Sequence, residues 1–393
     1  MNAVVLGAGA SGRAAAALLT REGAQVTVLQ GADPWPQGAW DLCVASPGVP
    51  LTHAWFAAAR AAGVRVVSEL QLGASRWHGR LLAVTGSKGK SSVVKLVAEA
   101  LARAGHPAVP CGNYGRPLCD VVLAPPEGDR TPWAVVEVSS FQMETTDDFH
   151  PDAAVILNLQ EDHLDRHGSV AVYHALKRKM LAGAARAVEA ADDAAALNLL
   201  RGSYFDKAVL RPNGLAAVSL LRAAGLSDEE IAAAFRAFTP LPHRFSPVAE
   251  QGGVRYVDDS KATSLAALAA GVAMCDGPVR LIAGGLAKGD DPKIVIPHLH
   301  SVVKKVYLIG RCAEQFSAAW QNDMPCEICG TLDRAVAAAR RDAEAGETVL
   351  LSPGAASFDQ FENYGARGDA FASFVRAEAG AVASGFEKRG KET

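Results

Sequence analysis

Residues Thr85-Gly86-Ser87-Lys88-Gly89-Lys90-Ser91-Ser92 set glycines, lysines and hydroxyls in one short run. That mixture suits the phosphates of a nucleotide. Glycines let backbone N–H groups close on phosphate oxygens, a lysine reaches the terminal phosphates, and the serine after it can ligate Mg²⁺. Gly86, Ser87, Lys88, Gly89, Lys90, Ser91 and Ser92 are therefore the candidate nucleotide-phosphate cradle, with Lys90 as its cation and Ser91 as a metal ligand. Gly86 and Gly89 lie closer together than the glycines of the common G-x-x-x-x-G-K-[ST] loop. The alternative is an ordinary glycine turn capping a helix. Context favours the cradle: Leu81, Leu82, Ala83 and Val84 before it read as a buried strand, and Val93 to Ala104 after it has helical spacing.

Two further clusters could serve such a loop. Glu137 ends an apolar run, Ala134–Val138, just before Ser139-Ser140-Phe141-Gln142. A carboxylate at a strand end beside a phosphate loop is a usual Mg²⁺ ligand. Asn158-Leu159-Gln160-Glu161-Asp162-His163-Leu164-Asp165-Arg166-His167 is dense in titratable groups. His163 could ligate a metal through neutral imidazole or hold an acidic substrate; a solvated turn is the plainer reading. Lys177, within Tyr173-His174-Ala175-Leu176-Lys177-Arg178-Lys179, reads from composition as an exposed helix lysine.

A second glycine motif, Gly7-Ala8-Gly9-Ala10-Ser11-Gly12, follows the strand Val4-Val5-Leu6. A NAD-binding unit needs an acid about 20 residues on for the ribose hydroxyls, and Gln30 stands there. The motif therefore predicts a diphosphate-containing ligand other than NAD, held by Gly9, Ala10, Ser11 and Gln30. The turn Ser46-Pro47-Gly48 would hold a second phosphate or sugar edge. A nicotinamide cofactor and a purely structural turn are the alternatives.

These residues need elements to position them, and the apolar patterning supplies an α/β chain in three blocks. Residues 1–78 alternate strands (Val26–Leu29, Leu42–Ala45) with helices (Arg13–Arg21, Thr52–Ala62), as in a small parallel sheet. Residues 79–240 carry the phosphate loop, the strands at 134–138 and 154–157, and alanine-rich helices. Residues 241–393 begin after Thr239-Pro240-Leu241-Pro242, a proline-marked linker. Strands at 254–257, 280–283, 306–309 and 348–351 there alternate with helices at 264–274, 313–320, 332–344 and 366–377.

Composition narrows the partners. The 393 residues are 49% hydrophobic and 21% charged, with a net charge of −3, so nothing in the charge favours nucleic acid or an anionic membrane. The apolar runs are too short to span a bilayer, and the first residues read as strand and turn rather than signal peptide. Seven scattered cysteines predict reduced thiols and a cytoplasmic location. Cys326 and Cys329 form a lone C-x-x-C with no second pair, which reads as strand or loop before zinc or redox chemistry.

The segments GSKGKSS, EVSSFQMET, ILNLQEDHLDRHG, YHALKRKML, LPHRF, DDSKATS, GGLAKGDD and LSPGAASFDQFENYGARGDAF run in order along the whole chain. In this the chain resembles the Mur ligases. The resemblance implies three domains: a Rossmann-like N-terminal domain for a UDP-sugar, a central P-loop ATPase domain with a mostly parallel sheet, and a C-terminal Rossmann-like domain for the amino acid. It implies an ATP-dependent amide ligase that joins D-glutamate to UDP-N-acetylmuramoyl-L-alanine through an acyl phosphate, for peptidoglycan precursor synthesis, as a monomer. An L-glutamate-adding or folate-polyglutamate-type ligase, or a catalytically weakened nucleotide-binding homologue, are the alternatives.

Site roles follow from the same resemblance. Ser91, Glu137, His163 and a carbamylated Lys177 would hold two Mg²⁺ ions. Lys90, Asn113, His163, Lys177 and Lys261 would be catalytic. Asn213 would sit on the adenine side, and Arg244 near the nucleotide. Thr263, Lys288, Ser357 and Tyr364 would contact glutamate. The chain departs from the family pattern at Lys88, Asp258, Ser264, Leu286 and Tyr364, and its central domain is shortened between about Arg186 and Asn213.

Overall fold

The computed structural model describes residues 1–387, so the polar end of the chain lies outside the described residues. The chain divides into two compact units, Met1–Phe238 and Thr239–Thr393. The first unit carries two parallel sheets. Strands β1 (Asn2–Leu6), β2 (Gln25–Leu29), β3 (Leu42–Ala45) and β4 (Val66–Ser68) are ordered β2-β1-β3-β4. Strands β5 (Arg80–Thr85), β6 (Ala108–Gly112), β7 (Trp133–Glu137), β8 (Ala153–Ile156) and β9 (Ala187–Val188) are ordered β6-β7-β5-β8-β9.

Alternation along β5 explains the two layers over the second sheet. Leu82 and Val84 face one core with Val93, Leu96, Val97 and Leu101 of the helix Lys90–Arg103. Leu81 and Ala83 face another with Leu70, Met143 and Met180. A sheet covered on both faces demands such continuously apolar central strands. The stretch after β9 contains the helix Ala194–Leu199 and a 3₁₀ turn, Tyr204–Asp206, before the helix Arg211–Ala223.

The two sheets of this unit meet through polar groups as well as apolar ones. The Ser68 hydroxyl lies 2.6 Å from that of Thr146, and Glu69 accepts the Cys119 N–H at 2.7 Å. Glu69 is buried, and burial, partly offset by the hydrogen bonds from Cys119, pushes its carboxyl up to about 7. Its ionised form is thus less welcome in the folded chain than in the unfolded one. The stability it allows is fully present below its ordinary value of 4.5 and is lost as pH rises through about 7. Glu69→Gln keeps the acceptor for Cys119 without the charge. Calorimetry of the variant should show a first-unit melting temperature above the parent's at pH 8, with a gain of on the order of 1–2 kcal/mol, and no gain at pH 4.5. An equal gain at both pH values would count against the titration.

In the second unit β10 (Ser246–Gln251), β11 (Val254–Asp258), β12 (Val279–Gly284), β13 (Val303–Ile309), β14 (Cys326–Gly330) and β15 (Thr348–Leu351) form one sheet, ordered β10-β11-β15-β12-β13-β14. Only the pairing of β10 with β11 is antiparallel among the described strands. Cys326 packs with Val306 and Leu308 on one face of this sheet, and Cys329 with Tyr307 and Ile309 on the other. Side chains on opposite faces cannot bridge or share a zinc ion, which leaves the C-x-x-C as plain edge strand.

Candidate active site

Three loops leave the carboxyl edge of the central sheet side by side. The phosphate loop follows β5, Ser139 lies just past β7, and Asn158 to His163 follow β8; β5 pairs in parallel with both of the others. Chain order reverses at β5, and α/β sheets bind ligands at such a point.

The phosphate loop is held tightly by its neighbours. Gly86 and Gly89 adopt φ of 154° and 84°, and a Cβ on Gly89 would overlap the Asn213 amide. The Asn158 carboxamide accepts the Lys88 N–H at 2.9 Å and donates to the Lys88 carbonyl at 3.0 Å and to Asn213 Oδ1 at 3.2 Å. Asn213, expected at the adenine side, therefore stands against the loop itself. Ser87 Oγ donates to the Gln160 carbonyl at 2.9 Å and accepts from the Tyr173 hydroxyl at 3.1 Å. Lys88 reaches Asp162 Oδ2 at 3.1 Å, and that ion pair accounts for a lysine in the loop. Burial works to raise the Asp162 carboxyl, yet Lys88 and His163 hold it below its usual value.

Two amines point at one carbonyl oxygen. Lys90 Nζ donates to Gly86 O at 2.8 Å and to Ser87 O at 3.2 Å. Lys177 Nζ donates to the same Gly86 O at 2.9 Å and to Thr85 Oγ1 at 3.3 Å. Far from exposed, Lys177 is 2% accessible, and burial together with the Lys90 charge pushes its amine down to about 7. The plain helix-surface reading of this lysine is corrected accordingly: the helix Val170–Ala182 packs it beneath the phosphate loop.

Glu137 is buried, with Oε1 accepting from Asn113 Nδ2 at 2.7 Å and Oε2 enclosed without any hydrogen-bond partner. An enclosed carboxylate oxygen left unpaired is costly unless a cation completes it. His163 adopts φ of 54° at the head of the one-turn helix Leu164–His167. Burial lowers its imidazole below the usual value, which favours the neutral, ligating form. Among the described residues no group of three or more His, Cys, Asp or Glu side chains could hold a metal. Of the residues expected to hold a metal, Glu137 is the anion and Ser91 and His163 the neutral donors, and a carboxylated Lys177 would supply a second anion.

The first sheet has its own switch point between β1 and β3. Gly9 heads the helix Ala10–Arg21, and Ser46 Oγ donates to Gly7 O at 3.2 Å, joining the two candidate diphosphate turns. A Cβ at Gly12 would overlap the Gly7 carbonyl, so the turn tolerates only glycine there. Past Gln30, whose N–H donates to Asp33 at 2.8 Å, lies an open cavity of about 460 Å³ lined by Pro34, Trp35, His53 and Trp55 among others.

The second unit gathers the other candidates at the carboxyl ends of β11, β15 and β12, which are adjacent and parallel. Lys261 Nζ sits 4.0 Å from the centre of the Tyr364 ring. The Lys261 N–H donates to His243 O at 2.9 Å, and Thr263 N–H to Lys261 O at 2.8 Å. Leu286 and Ala356 exchange backbone hydrogen bonds at 2.8 and 3.0 Å, laying the segment that leads to Lys288 against the buried Ser357. Arg367 is wholly buried and donates from Nε to Ser260 Oγ at 2.9 Å, while that hydroxyl donates to Tyr364 O at 2.8 Å. Arg244 lies in this unit, in a turn closed by its N–H on Leu241 O at 3.1 Å.

Tyr173 and Asn158 were missed in the sequence as parts of these clusters. Asn158 and Tyr173 lie inside segments that the motifs flagged, but their roles depend on folding next to Lys88 and Ser87. No spacing rule exposes that.

A phosphate-binding loop on a parallel sheet, with an unpaired acid and a buried lysine beside it, defines a nucleotide-dependent enzyme class. Comparison with known proteins narrows it. Residues 84–224 match the Mur ligase middle domain and 243–354 the Mur ligase glutamate ligase domain. The chain belongs to the Mur ligase family. It is 36% identical to UDP-N-acetylmuramoylalanine--D-glutamate ligase of Acidobacterium capsulatum, covering 97% of both chains. It is 37% identical to the ligase of the same name from Frankia casuarinae, covering 96% of this chain and 94% of that one. Its fold is similar to UDP-N-acetylmuramate-alanine ligase MurC of Thermotoga maritima, with a TM-score of 0.62, 15% identity, and coverage of 96% and 100%. Among the described residues no helix is long and apolar enough to cross a membrane.

Proposed function

We propose that this chain is an ATP-dependent ligase that forms the amide between UDP-N-acetylmuramoyl-L-alanine and D-glutamate, in the cytoplasm, as a step of peptidoglycan precursor synthesis. The observation that carries the reading is the convergence of the phosphate loop, the unpaired Glu137 oxygen and the buried Lys177 amine. It occurs in a chain matched almost end to end by ligases of that name. Residues 1–78 would bind the UDP-sugar, with Gly9, Ala10, Ser11, Gln30, Ser46, Pro47 and Gly48 around its uridine and diphosphate. Residues 79–240 would bind ATP, and residues 241–393 glutamate.

The chemistry divides among these residues. Lys90, released from the loop carbonyls it now holds, would follow the γ-phosphoryl group to the sugar carboxylate. Asn113 would orient that carboxylate from its bond to Glu137. Lys177, with an amine near 7, has the neutral fraction needed to attack CO₂; the new N–C bond forms as the amine loses a proton, leaving a carbamate anion. Mg²⁺ held by Ser91, Glu137, His163 and that carbamate would neutralise charge on the triphosphate. Lys261 and Lys288 would pair with the two carboxylates of glutamate, Thr263 and Ser357 would fix its amine end, and Tyr364 would support Lys261. The glutamate amine then attacks the acyl phosphate, and phosphate leaves.

Phosphate release from ATP in the presence of UDP-N-acetylmuramoyl-L-alanine tests the reading. Release is expected with D-glutamate and not with L-glutamate. Preference for the L-isomer would move the reading to the L-glutamate-adding ligase, and no release with either would remove it.

A further inference from the structure

One half-buried cation in the first unit takes no part in the chemistry above. Arg166 lies three residues after His163, in the one-turn helix that His163 begins. Its guanidinium grips Glu144 with both arms, Nε to Oε1 at 3.0 Å and Nη2 to Oε2 at 2.5 Å, with side chains only 14% and 7% accessible. It lies 4.5 Å from the centre of the Phe141 ring. The same Nη2 also donates to the carbonyl of Val49 at 3.0 Å. Val49 closes the Ser46–Gly48 turn, its N–H donating to Ser46 O at 3.1 Å. His167 adds a second hold on Glu144 at 3.3 Å and reaches Ser140 Oγ at 3.0 Å.

The segment that carries Glu144 is itself anchored to the first sheet. Ser68 N–H donates to Thr145 O at 2.8 Å, Asp147 N–H to Gln71 Oε1 at 2.9 Å, and Ser68 and Thr146 share a hydroxyl bond. One planar fork therefore joins the turn after β3 to the turn after β8, across the seam between the two sheets. A lysine could not do this, because a single ammonium cannot meet a carboxylate in two places and a carbonyl beyond it.

We propose that Arg166 is a positioning residue that sets the spacing between the Ser46–Gly48 turn and His163. This rests on the reading of those turns as the diphosphate-sugar and metal sites. Phosphoryl transfer to a carboxylate needs the two substrates within near-contact distance. Errors of about 1 Å can cost on the order of 100-fold in rate. Arg166 touches neither substrate; it fixes where each is held.

Arg166→Lys and Glu144→Gln test the proposal by two measurements. In the ligand-free protein, hydrogen exchange should accelerate together at residues 48–51 and 163–168 while the central strands β5, β7 and β8 stay protected. Turnover should fall by about 10–100-fold, with the dissociation constants for UDP-N-acetylmuramoyl-L-alanine and for ADP, each measured alone, within about 3-fold of the parent. Acceleration of one turn only, loosening of the central strands, or turnover within about 2-fold of the parent would overturn it. If the unsubstituted enzyme releases no phosphate, the ligase reading falls, and the exchange result still decides whether Arg166 joins the two turns.

Discussion

Lys177→Ala is expected to lower turnover by about 10³-fold or more and to recover part of it when short-chain carboxylic acids are added. The size of the loss follows from what the side chain would supply. In the proposed ligand set of Ser91, Glu137 and His163 only Glu137 would be an anion, and a carbamate at 177 would give a metal a second. The rescue follows from the space left behind: removing a buried lysine opens a cavity beneath Gly86 into which a small carboxylate fits. The pH dependence of the parent enzyme has a definite sign. An ordinary lysine near 10.4 is only about 0.04% neutral at pH 7, whereas an amine near 7 is about half neutral. Depleting CO₂ should therefore cost more activity at pH 6 than at pH 8, because the neutral amine that recaptures it is scarcer. An unimpaired Lys177→Ala enzyme would remove the carbamate from the mechanism.

Glu137→Gln should lower turnover by about 10²–10³-fold while leaving the protein as stable as before or more so. The two halves of that expectation come from the two oxygens. Glutamine keeps an acceptor for Asn113, so the existing hydrogen bond survives. At the other position it replaces an enclosed, unpaired carboxylate oxygen with an amide N–H₂, which relieves a buried charge but repels a cation. Steady-state kinetics and a melting curve on the same preparation check both. A melting temperature several degrees below the parent's would mean that Glu137 is structural, and turnover near the parent's would mean that it holds no metal.

Much of the fold was legible because the central strands obey simple rules. The runs Leu81–Val84, Ala134–Val136 and Val349–Leu351 are continuously apolar, as strands covered on both faces must be, and each strand was read within a residue or two of its position. The strands that escaped notice are short or lie at edges. β6 and β10 each carry a proline, which argues against a strand until one sees that an edge position leaves its missing N–H without consequence. The phosphate loop and Glu137 were legible because their chemistry is local: strand, turn, helix in one stretch. Lys177 was not legible from composition, and only the family resemblance pointed to it, because burial of a helix lysine depends on which loop folds over it. Arg166 was quoted only as one charge in a dense run, since its partners Glu144 and Val49 lie 22 and 117 residues away.

The latch between Asn213 and the phosphate loop gives the stretch before it a purpose. Asn213 opens onto Gly89 and Asn158 from the first turn of the helix Arg211–Ala223, so the chain that runs from β9 to that helix must arrive in register with the loop. What is fixed is where it lands, at Asn213 against the loop, and not how many residues it takes to get there. Residues could be trimmed from this stretch between the two fixed ends. One inserted immediately before Asn213 would turn the helix by about 100° and carry the amide away from the loop it secures.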